Sequence, residues 1–291
     1  MKQAFLITAY KDFDGLYALA EFLTQTAYVY IHMDAKSDIT SAQIAKLNTL
    51  HNCHAIRKYK ICWGGFAHVE AILELLTQAV ENDEISYLHL LTGEDLPLCT
   101  MEELDAKYLR NEYIYMDAIP AKDFTPQVRK RVRYHNWFAD KNVKNPFLWQ
   151  LQNLTVNMQK LFGIRRDGIG EFKEDRLYKG LVYISMPKPA AEYVVHYCQE
   201  HTEFLEELKD CQIPEEFFFQ TLLMNSSFAK KVAPKPVRYM NWEKGDGGSP
   251  AYLEIDDLPK IRQGDYDFAR KFGHGISDAL RRELFEGKKL P

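Results

Sequence analysis

No stretch of the 291-residue chain approaches the roughly 18 consecutive apolar residues of a membrane-spanning helix. Residues 1–7 carry one positive charge and a short apolar run. They then enter polar Tyr10-Lys11-Asp12 with no small-residue cleavage site, so a signal peptide is not expected. Cysteine is scarce: five residues, at 53, 62, 99, 198 and 211, an odd count without metal-type spacing. That excludes a disulfide scaffold and fits reduced thiols in a cytoplasm. No GxGxxG follows the first apolar run, and GxxxxGK[ST], HExxH and GxSxG are all missing, which excludes the common dinucleotide, P-loop, zinc-protease and serine-hydrolase signatures. The nine histidines do not cluster at ligand spacing. An excess of one charge is lacking too: 37 Lys and Arg stand against 41 Asp and Glu, which speaks against a general nucleic-acid binder. There are no repeats, low-complexity segments or linkers, so the expectation is one domain over residues 1–291.

The pattern that is present is an alternation of strand and helix signals. Residues 4–10, 28–33, 54–56, 87–92 and 113–116 read as strands; helical spacing fills 12–23, 41–50, 68–80 and 101–109. Such an order predicts an α/β fold with a mainly parallel sheet covered by helices on both faces. Ligands in such sheets lie outside the carboxyl ends of the strands, here after Ile7, Met33, Ile61 and Thr92. Residues 93–97 read as a break. In the second half, residues 146–162, 189–200, 214–224 and 277–286 read as helices, 180–185 as a strand and 244–250 as a loop.

Three groups carry candidate chemistry. Glu215-Glu216 follow Pro214, a helix-start pattern that puts carboxylates beside the positive end of the macrodipole; one of the two can serve as a base. Arg270-Lys271 lie between Phe268 and Phe272, and could clamp a pyrophosphate or simply form a solvated face. Two DxD patterns, Asp12-Phe13-Asp14 and Asp265-Tyr266-Asp267, are weak metal candidates, and His89 in its apolar strand reads as a satisfied core histidine. The aromatic content, 13%, suits sugar stacking as well as core packing.

Several segments, in order, resemble one family, the glycosyltransferases that contain the core-2/I-branching β-1,6-N-acetylglucosaminyltransferases and the protein xylosyltransferases. They are Ile7-Thr8-Ala9-Tyr10-Lys11-Asp12, Tyr30-Ile31-His32-Met33-Asp34-Ala35-Lys36-Ser37, Trp63-Gly64-Gly65-Phe66-Ala67-His68-Val69-Glu70-Ala71 and Leu90-Leu91-Thr92-Gly93-Glu94-Asp95-Leu96-Pro97-Leu98. Pro214-Glu215-Glu216-Phe217-Phe218-Phe219-Gln220-Thr221, Trp242, Ser249-Pro250 and Phe268-Ala269-Arg270-Lys271-Phe272 follow, so the resemblance spans roughly residues 4–275. It implies a GT-A-type fold and an inverting transfer from a UDP-sugar with no metal and no other cofactor. It places the catalytic base on Glu216 and the diphosphate-binding cations on Arg270 and Lys271. Nucleotide contacts fall on Thr8, Ala9 and Asp34, with Trp63, Gly64 and Asp95 as further donor-side positions. The acceptor side takes Glu215, Arg131, Arg133 and Tyr183.

The residue chemistry agrees with that picture. An in-line displacement needs one base on the acceptor hydroxyl and charge stabilisation on the departing UDP, and two cations can supply the second without a metal. Departures narrow the acceptor. The branching enzymes carry an extra arginine where Gly248 stands here, and the segment Gly180-Leu181-Val182-Tyr183-Ile184-Ser185 lacks the family's tryptophan. The animal enzymes' cysteine pattern, stem and anchor are missing. The expectation is a bacterial type of enzyme in the cytoplasm, building a surface or capsular glycan at the inner face of the membrane. Its donor would be UDP-N-acetylglucosamine or UDP-xylose, its acceptor a glycan or lipid-linked glycan that the basic run 129–133 could meet. The alternative is a catalytically silent sugar-nucleotide or glycan-binding protein on the same fold.

Overall fold

The first apolar run forms the middle of the sheet. Strand β1 (Lys2–Ala9) sends Ala4 and Leu6 into one apolar cluster and Phe5, Ile7 and Ala9 into another. Both faces are covered, which is why it reads as a continuous hydrophobic run. The fold comes from a computed structural model, which describes residues 1–139, 141, 145–233, 237–245 and 249–285. Gly248, most of the 244–250 loop centre and residue 286 of the tail helix lie outside the described residues.

Strands β2 (Tyr28–Met33) and β4 (Ile85–Thr92) pair parallel with β1 on either side, and β3 (Cys53–Ile56) pairs parallel beyond β2. Helices α1 (Phe13–Leu23), α2 (Ser41–Leu47) and α3 (Ala67–Val80) make the crossovers. Asp12 caps α1 by accepting from the Gly15 N–H, and Thr40 with Gln43 closes a capping box on α2. The chain runs outward from β1 through β2 to β3, then crosses to the other flank to form β4. The order reverses between β1 and β4, the switch point at which open α/β sheets bind ligands.

A short strand, β5 (Asp95–Pro97), follows β4 where the sequence reads as a break. It joins Phe268–Arg270 antiparallel, and that strand joins Arg238–Met240 in parallel, so a three-stranded sheet of distant segments closes over the end of β4. Helix α4 (Met101–Tyr108) leads to β6 (Ile114–Tyr115). Ser185–Pro187 inserts antiparallel between β4 and β6, with Val232–Ala233 at the edge. Four of the six neighbouring pairs in this seven-stranded sheet are parallel, so the mainly parallel α/β expectation holds.

The second half adds helices α5 (Pro126–Arg133), α6 (Pro146–Leu161), α7 (Lys188–Glu200), α8 (Thr202–Lys209) and α9 (Phe218–Met224). Two readings are corrected. The strand expected over 180–185 begins only at Ser185, because the Gly180 N–H is drawn to the Glu216 carbonyl and Tyr183 is held by two arginines. The helix expected from Pro214 is a single 3₁₀ turn, Pro214–Glu216, with α9 starting afresh at Phe218. Among the described residues, no helix is long and apolar enough to cross a membrane.

Candidate active site

The carboxyl ends of β1 and β4 are in register at Thr8 and Thr92, and each threonine begins a chain of polar contacts. Thr8 Oγ1 lies 3.3 Å from His68 Nε2, and His68 Nδ1 lies 3.4 Å from Glu215 Oε1. His68 sits in the first turn of α3, just after the Trp63-Gly64-Gly65 turn. Glu215 is buried, and its Oε2 has no hydrogen-bond partner among the described residues. Ala9 completes the β1 end: its carbonyl accepts from the Asp34 N–H at 2.8 Å. Asp34 Oδ1 is occupied by the backbone amides of Lys36 and Ile61, at 2.9 and 3.2 Å, and its Oδ2 lies 3.9 Å from Lys36 Nζ.

On the β4 side, Asp95 is fully buried. Its Oδ2 accepts from the Thr92 N–H and its Oδ1 from Arg270 Nη1 at 3.0 Å. Arg270 also donates to Thr92 Oγ1. The antiparallel register of β5 with Phe268–Arg270 makes this pair, setting Arg270 opposite Asp95. Burial opposes the Arg270 charge, but Tyr183 and Asp95 hold its pKa above the ordinary value. The Arg270 guanidinium lies 4.7 Å from the Tyr183 ring centroid, and a second buried guanidinium, Arg238, lies 4.5 Å from the same ring. Burial pushes the Arg238 pKa down and the Tyr183 phenol up to about 12. The Nε atoms of both arginines are buried without a partner among the described residues. Lys271, next in the chain, has different neighbours: Ser249 Oγ at 3.1 Å and the Tyr252 ring at 4.3 Å.

Glu216 stands next to Glu215 with a different environment. Its Oε2 accepts from Arg131 Nη1 at 2.9 Å and lies 3.1 Å from Lys179 Nζ, while Oε1 has no hydrogen-bond partner among the described residues. The turn that presents it is strained. Ile213 has φ +57°, rarely adopted by a β-branched residue, and its N–H donates to the Gly64 carbonyl at 2.9 Å. The Trp63-Gly64-Gly65 turn thereby props the segment that carries both glutamates. Trp63 itself is exposed.

The basic run splits by helical geometry. Arg129 and Arg133 are four apart on α5 and both pair with Glu174, whereas Arg131 faces the other way onto Glu216. Arg133 is thus paired with Glu174 and Tyr183 lies against the two buried arginines, while Arg131 bonds Glu216 and Glu215 belongs to the Pro214–Glu216 turn itself. Sequence reading passed over His68, Thr92, Lys179 and Arg238. His68 and Thr92 lay inside quoted segments, but nothing local marks Lys179 or Arg238. Asp267 of the second DxD is consumed by Lys107 Nζ, at 2.8 and 2.7 Å, and by Tyr108. His89 bonds Ser185 Oγ and Gln3 Oε1 in the core. No group of three or more His, Cys, Asp or Glu side chains among the described residues is arranged to hold a metal ion.

A family model described as Core-2/I-Branching enzyme matches residues 3–262. The xylosyltransferase oxt of Drosophila melanogaster is 21% identical over 284 residues, covering 88% of this chain and 30% of that protein. The xylosyltransferase sqv-6 of Caenorhabditis elegans is 20% identical over 234 residues, covering 78% of this chain and 26% of that protein. The chain therefore spans under a third of the length of these relatives. Among solved structures, the WbbM bifunctional glycosyltransferase aligns at 10% identity over 95% of this chain and 46% of its own, with a TM-score of 0.39. S. aureus TarS 1-349 in complex with UDP-GlcNAc aligns at 19% identity over 36% and 30%, with a TM-score of 0.27. Those two scores are too low to argue from.

Proposed function

We propose, from the premise that the chain belongs to the core-2/I-branching enzyme family of glycosyltransferases, that it transfers a sugar from a UDP-sugar to a glycan hydroxyl with inversion and without a metal. N-acetylglucosamine and xylose are the favoured sugars, and surface or capsular glycan synthesis in a bacterium is the favoured setting. The observation that carries the reading is the juxtaposition at the sheet switch point. Thr8 and Thr92 stand in register there, one leading through His68 to Glu215 and its neighbour Glu216, the other directly to Arg270 and Asp95. A carboxylate and a guanidinium cluster thus flank one sheet end, as a displacement with separate nucleophile and leaving-group sides requires.

In this reading Glu216 Oε1 takes the proton of the acceptor hydroxyl as its oxygen attacks the anomeric carbon. Arg131 and Lys179 hold the other carboxylate oxygen and so fix the direction of Oε1. The bond from the anomeric carbon to the diphosphate breaks on the opposite side. The negative charge arriving on UDP is met by Arg270, through the guanidinium edge not spent on Asp95 and Thr92, and by Lys271 as a mobile point charge. Asp34 Oδ2, Thr8 and Ala9 line the nucleoside side, with Trp63 and Gly64 at its rim. Arg131 and Glu215 line the acceptor side.

The test is UDP release from a panel of UDP-sugars, each with and without EDTA. Release with one or two sugars, unchanged by EDTA, is the expected outcome. Activity abolished by EDTA would remove the metal-free part of the reading, and UDP binding with no release from any sugar over a range of acceptors would favour a silent binding protein.

A further inference from the structure

Helix α6 is turned inside out relative to an ordinary surface helix. Its buried residues are Gln152, Val156 and Gln159. The two glutamines clasp the segment before the helix. Gln159 accepts from the His135 N–H and donates to the His135 carbonyl, at 2.8 and 2.9 Å, while Gln152 accepts from the Phe138 N–H and donates to Asn136 Oδ1, at 3.1 and 3.0 Å. The opposite face carries Phe147, Leu151, Leu154, Met158 and Leu161, spaced alternately four and three residues apart, a stripe roughly 80° wide. Phe147 is 69% exposed and Leu161 80%, and Phe162 and Ile164 add further exposed apolar groups just past its C-terminal end. A contiguous apolar face of this kind, held to the domain by polar bonds, needs an occupant.

The charge around it says which. From residue 141 to residue 166 the sequence has five Lys or Arg and no Asp or Glu, although the whole chain carries a net charge of −4. Lys141, Lys160 and Arg165 from this stretch, with Lys130 of α5, have no carboxylate partner among the described residues. Lys130 instead donates to Asn153 of α6 at 3.2 Å, and Lys160 lies 5.7 Å from the Tyr134 ring centroid. The structure assigns this face of α6 as a docking surface for an anionic lipid bilayer. The stripe enters the boundary between headgroups and acyl chains, and the cations of this acid-free stretch meet lipid phosphates. A second copy of the chain fits less well: a symmetric pairing of the stripes would set two acid-free, cationic segments face to face. If the proposed transfer reaction is also right, the surface has a purpose. Arg131, on α5 beside α6, holds Glu216, so a bilayer under α6 would bring a lipid-linked acceptor to the side of the base.

The surface is tested by vesicle flotation of the full chain with no sugar nucleotide present, so the result is independent of the proposed reaction. Vesicles of phosphatidylcholine containing about one third phosphatidylglycerol should carry the protein, and pure phosphatidylcholine should carry far less. L154E with L161E should lower partitioning about tenfold or more. K160A and R165A should each lower it about fivefold and flatten its salt dependence. All four side chains are exposed, so the thermal unfolding midpoint should stay near that of the unaltered protein. The proposal is overturned if the unaltered protein does not float with anionic vesicles, or if the variants float as well as it does. It is equally overturned if light scattering finds a dimer that L154E with L161E splits.

Discussion

Glu216 has one carboxylate oxygen gripped by two cations and the other without a hydrogen-bond partner among the described residues, and that asymmetry is the sharpest residue-level feature of the site. Glu216→Gln keeps the shape and loses the base. Turnover should fall roughly 10²–10⁴-fold with UDP affinity retained, and near-normal turnover would show that the proton goes elsewhere. Arg270 and Lys271 look equivalent in sequence but are not. Arg270→Ala would strand the fully buried Asp95 without its cation, a change that costs about 3–5 kcal/mol of stability. Lys271→Ala removes only an exchangeable contact with Ser249 and Tyr252. The second variant should weaken UDP binding in calorimetry with an unaltered unfolding midpoint, and unchanged affinity would remove Lys271 from the diphosphate site. Sequence reading saw both residue pairs, Glu215-Glu216 and Arg270-Lys271, as candidates. It could not see that the members of each pair have different partners, because those partners come from positions as distant as 68, 95 and 131.

Among the elements, the strands and crossovers of the first 92 residues were legible because each is an apolar run or an amphipathic repeat, and α1 and α2 also carry their own side-chain caps. The short pieces were not. β5 has three residues and no periodicity, and exists because Phe268–Arg270 pairs with it. The 180–185 segment has the composition of a strand, but tertiary bonds to Gly180 and Tyr183 hold most of it out of the ladder. The turn at Gly64 links sequence to site most directly. Its φ is +75°, and a Cβ there would lie 3.2 Å from Ile213 Cγ1 on the strained residue before Pro214. Gly64→Ala should therefore destabilise the fold by about 1–2 kcal/mol in denaturant unfolding and lower turnover by displacing the Pro214–Glu216 turn. Wild-type stability and turnover in that variant would show that the turn tolerates the change.

For the whole molecule, two buried neutral histidines set a direction for pH. Burial lowers His32 to about 4 and holds His89 well below its ordinary range. His32 Nε2 accepts from the Tyr59 N–H at 3.0 Å, a bond that protonation would break. The unfolded chain takes up these protons as the pH falls through about 6.5, whereas the folded chain resists until near 4 at His32. Stability is thus fully present above about pH 6.5 and declines below it, by up to about 1.4 kcal/mol per pH unit for each imidazole. Urea midpoints measured in steps from about pH 7 to about pH 5 should fall, and a flat series would show that these imidazoles are not held neutral by the fold.

What the chain's composition and order decide by themselves is the α/β architecture, the family, and the short list of carboxylates and cations, because apolar periodicity, caps and motif spacing are local properties. The absence of any long apolar run likewise fits a chain in which no described helix can cross a membrane. Only the tertiary structure decides which of those groups meet. The reversal of strand order puts Thr8 beside Thr92, the three-stranded sheet delivers Arg270 to Asp95, and α5 gives Arg131 to Glu216 while turning Arg133 away. It also decides that α6 buries its glutamines and leaves its leucines outside, since the polar clasp to residues 135–138 is a long-range bond that periodicity cannot record.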